Sequence, residues 1–300
     1  MRIRVDYTTT YDYSSLASDV IQLLRVEPWG HDNQHIVSWR LDTDTDGHLR
    51  RGTDVFGNVT HMFYADAPIR RLALHVSGDV DTTETHGVLG GTAEPLPPSV
   101  FLRTTPLSTA DEGIRAWARS CVAVNPLDTC HALLGGLYGR MTFDADVTHS
   151  HTDAIHAFGL QAGVCQDYSH VFLAAARHLG IPARYVSGHL VRADGLVTQP
   201  AGHAWVEAHL PDLGWVGFDP TNGMSTTEAY LRVAVGLDYL DAAPVRGARR
   251  GGGAETMIVS VTASDAGPAQ RQSQSQSQSQ GQGEGEGGSQ GQSQSQAQVQ

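Results

Sequence analysis

Three residues in this sequence have types and settings suited to acyl-group chemistry: Cys165, His203 and Asp219. The cysteine stands in "GVCQDYSH", immediately before a run in which Tyr168, Val171, Phe172, Ala175, Ala176 and Leu179 recur at helical spacing. A helix start presents unpaired N–H groups and the positive end of the helix dipole, a setting that favours a thiolate. "AGHAWVEAHL" puts His203 at the head of a strand, behind Gly202, with Trp205 on the same face two residues later. "GWVGFDPTNG" ends another strand at Phe218 and puts Asp219 at its tip, where Pro220 stops the ladder. If these strands are neighbours, imidazole and carboxylate lie side by side, and a helix packed across the sheet brings in the thiol. Such a set supplies a nucleophile for a carbonyl, a base that takes and returns the proton, and a carboxylate that fixes the imidazole.

Nearby residues have less defined roles. The backbone N–H of Cys165 is one candidate oxyanion donor, and the side chains of Gln161 and Gln166 are others, though either glutamine can equally hold the loop together. Trp205 and Trp215 can wall an acyl slot or fill the core. His170 is read as structural, and Cys121 and Cys130 as packing residues on helices. "HSHTDAIH" offers His149, His151 and His156, but neither an H-E-x-x-H helix nor a cysteine pair accompanies them, so no metal site is expected.

The elements that must position these groups follow from periodicity. Residues 1–82 alternate polar and apolar between turns, which predicts an all-β, sandwich-like N-terminal domain. Its "DTDTDG" turn resembles the start of a calcium loop, but Thr53 occupies the twelfth position where a glutamate is required, and a hairpin is expected. A Gly/Pro-rich linker spans 83–104. A second domain is expected over 105–263. It contains a helix capped by Ser108 or Thr109, a second from about Leu127 with Asp128 or Thr129 near its start, and a short helix over 153–160 capped by Thr152. The Cys165 helix follows, then strands at "ARYVSGHLV", "HAWVEAHL", "GWVGFDP" and "ETMIVSVTAS". The class is α+β. Residues 264–300 form a Gln/Ser/Gly-rich tail too poor in apolar residues to repay its ordering entropy, and disorder is expected there.

Composition narrows the partners. The 300 residues are 40% hydrophobic and 17% charged, with net charge −12, and all 20 basic residues are arginine. Clustered positive charge is lacking, so neither nucleic acid nor an anionic membrane is expected as partner. The N-terminus reads as a strand with no signal-peptide core, no apolar run reaches spanning length, and the three cysteines form no C-x-x-C motif. A cytoplasmic protein without cofactor is the expectation.

The segments "GVCQDYSHVFLAAARHLGIPARYVSG", "HAWVEAHLPDLGWVGFDPTNG" and "LRVAVGLDYLDAAPVRG" resemble the bacterial transglutaminase-like proteins, of the transglutaminase and papain-like cysteine protease superfamily. The likeness runs over about 99–263, and the β region before it is similar to the N-terminal region that often accompanies this domain. It implies a papain-like core with a cysteine-bearing helix on an antiparallel sheet, Cys165 as nucleophile, His203 as base and acid, and Asp219 as orienting group. The substrate implied is a peptide or protein amide, with hydrolysis and transfer to an amine both open. The reading from another class is a non-catalytic scaffold that binds peptides through the same domain.

Overall fold

The computed structural model describes residues 1–92 and 94–267. The first 82 residues give five strands: β1 (Arg2–Leu24), β2 (Gln34–Thr43), β3 (Gly47–Thr53), β4 (Val59–Ala65) and β5 (Ile69–Thr82). The Asp42–Gly47 segment turns the chain from β2 into β3, but the two strands do not pair as the expected hairpin would: β2 lies against β5 and β3 against β4.

Helices then take over: α1 (Glu112–Ser120), α2 (Pro126–Arg140), the two-residue strand β6 (Thr142–Phe143), α3 (Ala154–Leu160), its parallel partner β7 (Ala162–Gly163), and α4 (Cys165–His178). The caps differ from those expected. Asp111, Asn125 and Asp153 accept from the N–H of Ile114, Asp128 and His156 at 2.8–2.9 Å. At α1 and α3 an Asx side chain next to the first turn takes the place of the expected hydroxyl, because it reaches the unpaired donor three residues on, while Asp128 and Thr129 lie near the start of α2 as expected. Ser108 instead receives a hydrogen bond from the buried guanidinium of Arg177 at 2.7 Å.

The second sheet and its continuation comprise β8 (Ala183–Leu190), β9 (Thr198–Gln199), β10 (His203–Leu210), β11 (Gly214–Asp219), β12 (Met224–Ser225), β13 (Tyr230–Gly236), α5 (Tyr239–Ala242), β14 (Val245–Gly251) and β15 (Glu255–Asp265). Five of these strands form an antiparallel sheet in the order β12-β11-β10-β8-β13. Every residue of α4 from Asp167 to Arg177 is buried. Its apolar side chains cluster with Ala183, Tyr185, Ala204, Val206, Ala208, Val216 and Phe218 from one face of the sheet. Strand alternation therefore turns His203, Trp205, Glu207 and Asp219 to the other face. This is the cysteine-bearing helix on an antiparallel sheet that the resemblance implied.

The chain's last strands do not stay with that sheet. β15 pairs with the first half of β1 opposite β5, and β14 pairs with its end opposite β4, completing an eight-stranded N-terminal sheet. The boundary expected at 263 thus cuts a strand, and residues 245–265 pair within the N-terminal sheet. Alternation announces a strand but not its partner, here about 250 residues away by sequence. Leu231 and Val233 of β13 join the core of this sheet, so the two parts share apolar packing. The expected disordered tail lies, from residue 268 on, outside the described residues. No helix among the described residues is long and apolar enough to cross a membrane.

Candidate active site

Cys165 is the first residue of α4, and its surroundings are built by the preceding turn. α3 ends at Gln161 in the left-handed conformation, and β7 runs beside β6 into Gly163. The Val164 N–H donates to Asp167 Oδ2 at 2.8 Å, and the same oxygen accepts from the Thr148 hydroxyl at 2.7 Å. The carboxylate of Asp167 thereby ties the Thr148 loop to Val164, the residue just before Cys165. Burial raises its pKa against these hydrogen bonds. Position 163 must be glycine: its φ is +155°, and a Cβ there would stand 2.5 Å from Asp167 Oδ2. The Cys165 N–H, at the first helical position, has no acceptor within the helix, so it remains available as an oxyanion donor. The thiol is partly accessible, with its apolar side against the core.

His203 and Asp219 meet at the ends of neighbouring strands. The β10–β11 ladder runs from Leu210↔Gly214 to Val206↔Phe218, so Asp219 falls just past its last pair, towards the head of β10. Asp219 Oδ2 lies 2.6 Å from His203 Nε2. It also accepts from the Tyr230 hydroxyl at 2.8 Å and Asn222 Nδ2 at 2.6 Å, while Oδ1 accepts from the backbone N–H of Thr221 and Asn222 at 2.9 and 3.2 Å. Burial works to raise the Asp219 pKa, but the charge and hydrogen bond of His203, aided by Asn222 and Tyr230, hold it below the ordinary value. Burial alone would discharge His203. The charge and hydrogen bond of Asp219, with a further hydrogen bond and charge from Cys165, outweigh it and raise the imidazole to about 10. Since Nε2 faces Asp219, Nδ1 is the nitrogen left for the thiol. With 12% of its side chain exposed, His203 remains approachable from solvent.

The other candidates separate. Trp205 is 2% exposed and packs edge-on to Tyr230, with its ring centroid 6.2 Å from that of His203. Trp215 lies four residues along β11 from Asp219 and belongs to a different cluster, under the Arg184 guanidinium at 3.8 Å and against Phe101. Gln166 Nε2 donates to Ser150 O at 3.1 Å, and Gln161 is an exposed helix C-cap. His170 is fully buried, accepts from the Tyr239 N–H at 3.2 Å, and burial lowers its pKa to about 3. Cys130 is buried and Cys121 half-buried, both within or against the helical core. His149 and His151 neighbour each other on the loop tied down by Thr148, with His156 on α3.

Comparison with known proteins bears on this geometry. The family profile described as the transglutaminase-like superfamily matches residues 115–220, and that of the bacterial transglutaminase-like N-terminal region matches 3–81. An uncharacterized protein of Mycobacterium leprae is 30% identical over 278 residues, spanning 87% of this chain and 97% of that protein. This chain belongs to the bacterial transglutaminase-like proteins. An uncharacterized Mycobacterium tuberculosis protein is 28% identical over 272 residues, covering 82% of this chain and 87% of that one. The crystal structure of a Cytophaga hutchinsonii protein, provisionally named a cysteine protease, superposes with a TM-score of 0.70 at 20% identity over 89% of this chain and 92% of that one, a likeness of fold. A protein-glutamine gamma-glutamyltransferase of Pseudomonas aeruginosa is 36% identical over 74 residues, 21% of this chain and 10% of that protein. At family level, this bacterial transglutaminase-like chain has the fold of papain-like thiol enzymes.

Three residues that bind or brace the set escaped the sequence reading: Asp167, Asn222 and Tyr230. Asp167 carries a signal, an acidic residue at the third helical position positioned to cap the turn before it. Asn222 follows Asp219 by three residues in a Pro-containing turn, the spacing at which an Asx side chain folds back. Nothing local marks Tyr230, which reaches Asp219 from β13.

Proposed function

We propose that this bacterial transglutaminase-like protein cleaves or transfers the acyl group of peptide or protein amides through a thioester at Cys165. The proton of Cys165 Sγ resides on His203 Nδ1, as the raised imidazole pKa favours, and the thiolate of this pair attacks the amide carbonyl. Negative charge develops on the carbonyl oxygen, for which the Cys165 N–H at the start of α4 is the backbone donor. The tetrahedral species collapses with cleavage of the C–N bond, and the imidazolium returns its proton to the departing nitrogen, which leaves as ammonia or an amine. In the second half, His203 removes a proton from water or a primary amine as that nucleophile attacks the thioester. Thiolate is expelled and reprotonated, and the product is a carboxylic acid or a new amide. Asp219 keeps Nε2 protonated and stabilises the imidazolium throughout.

The observation that carries this reading is the 2.6 Å His203–Asp219 contact beside a cysteine at a helix N-terminus. Water and amine enter by the same route, so the acceptor is decided by product analysis. Incubation with a glutamine-containing peptide and a labelled primary amine tests it: ammonia release with amine incorporation marks transfer, and ammonia release alone marks deamidation. Fragments with new termini mark peptide-bond cleavage. A protein that gives none of these products with a panel of peptides, and binds them unchanged, is the scaffold instead.

A further inference from the structure

The carboxylate oxygen that holds His203 is shared. Asp219 Oδ2 takes three donors: His203 Nε2 at 2.6 Å, Asn222 Nδ2 at 2.6 Å and the Tyr230 hydroxyl at 2.8 Å. Asn222 must present its NH2 group there, because an ionised carboxylate only accepts and an amide oxygen at that distance would be repelled. The 3.5 Å separation between Asn222 Nδ2 and His203 Nε2 is therefore no hydrogen bond, since both atoms donate to Asp219; it measures how closely the amide stands beside the imidazole's own bond. Tyr230 is buried and approaches from the protein side, whereas Asn222 is exposed and approaches from solvent. The amide thus covers the His203–Asp219 hydrogen bond where water would otherwise compete for Oδ2.

We infer that Asn222 is a positioning residue for His203, acting through Asp219: it fixes Oδ2 in line with Nε2–H and excludes water from that bond. The inference rests on the reading of Cys165, His203 and Asp219 given above. A residue that served only the turn would act differently, because Asp219 Oδ1 already closes the turn through the backbone N–H groups of Thr221 and Asn222, which any side chain at position 222 preserves.

The test uses the full chain with labelled histidine, in wild type, Asn222→Ala, Asn222→Asp and His203→Ala. The His203 imidazole titration is followed by NMR, Cys165 alkylation by iodoacetamide is timed at pH 7, and the thermal midpoint is recorded. The groups facing His203 are Asp219, Cys165 and Tyr230. Removing the amide lets water screen Asp219, so Asn222→Ala lowers the titration midpoint by about one pH unit. A second carboxylate raises it, so Asn222→Asp moves the midpoint up. Both variants slow alkylation roughly tenfold, the loss of one hydrogen bond to a charged group, while the thermal midpoint changes little. An unchanged midpoint and rate in both Asn222 variants, with His203→Ala still slowing alkylation, overturns this inference alone. If His203→Ala leaves the Cys165 rate at its wild-type value, the reading of the site fails and this inference fails with it.

Discussion

His203 Nε2 and Asp219 Oδ2 lie 2.6 Å apart, one at the head of β10 and the other at the tip of β11, and Asp219 is fully buried. The carboxylate takes five hydrogen bonds, so its orientation is set before any substrate arrives. Asp219→Asn keeps the shape but removes the charge that stabilises the imidazolium. It lowers kcat by about 10²- to 10⁴-fold with little change in KM, measured on whichever amide the wild type turns over.

The same pair gives stability a defined pH window. His203 is raised from 6.5 to about 10, so its contribution is complete below pH 6.5 and is lost as pH rises through 10. Asp219 is held below 3.8, so its contribution is present above that value and is lost as pH falls through its lower folded pKa. The gap in thermal midpoint between wild type and Asp219→Asn is accordingly widest between pH 3.8 and 6.5 and closes towards pH 10. A gap that grows with alkaline pH contradicts this assignment.

Glu207 has no access to solvent and joins two guanidinium groups, with Arg184 Nε at 2.6 Å and Arg232 Nε at 2.8 Å. Arg184, itself 1% exposed, also reaches Glu94 at 2.7 Å. Glu207→Ala leaves positive charge buried beneath the sheet and costs about 3–5 kcal/mol of unfolding free energy, measured by urea denaturation. Glu207→Gln, which keeps an acceptor, costs less.

Gly163→Ala strains the turn before Cys165. The added Cβ meets Asp167, so the variant loses about 1–3 kcal/mol and, by displacing the helix start, loses amidase or transferase activity out of proportion to stability. Asp167→Ala relieves the clash but removes the tie to Val164 and Thr148. In the double variant, the stability losses are less than additive.

The residues of the proposed catalytic set were legible because each is marked locally. Cys165 precedes an apolar helical run, His203 follows a glycine at a strand head, and Asp219 stands before a proline. Its bracing was less so: Asn222 and Asp167 have recognisable spacings, but Tyr230 arrives from a strand three places away in the sheet. β15 was legible as a late strand-like segment and β14, with its run of Gly and Arg, was not; the pairing of both with β1 depends on a register that no short-range pattern encodes. The caps at Asp111, Asn125 and Asp153 show the local competition among several polar residues near a helix start, decided by which side chain reaches the third N–H.

The three cysteines allow the central claim to be tested within one molecule. Burial raises Cys130 to about 12 and also raises Cys121, leaving both poor nucleophiles in the folded protein. The measurement is the rate of iodoacetamide alkylation at each cysteine between pH 5 and 9, resolved by mass spectrometry, in wild type and His203→Ala. Cys165 alkylated far faster than the other two below pH 8, with that advantage lost in His203→Ala, is the result predicted for a thiol working with an imidazole. A Cys165 that reacts no faster than Cys121, or equally fast without His203, contradicts the account.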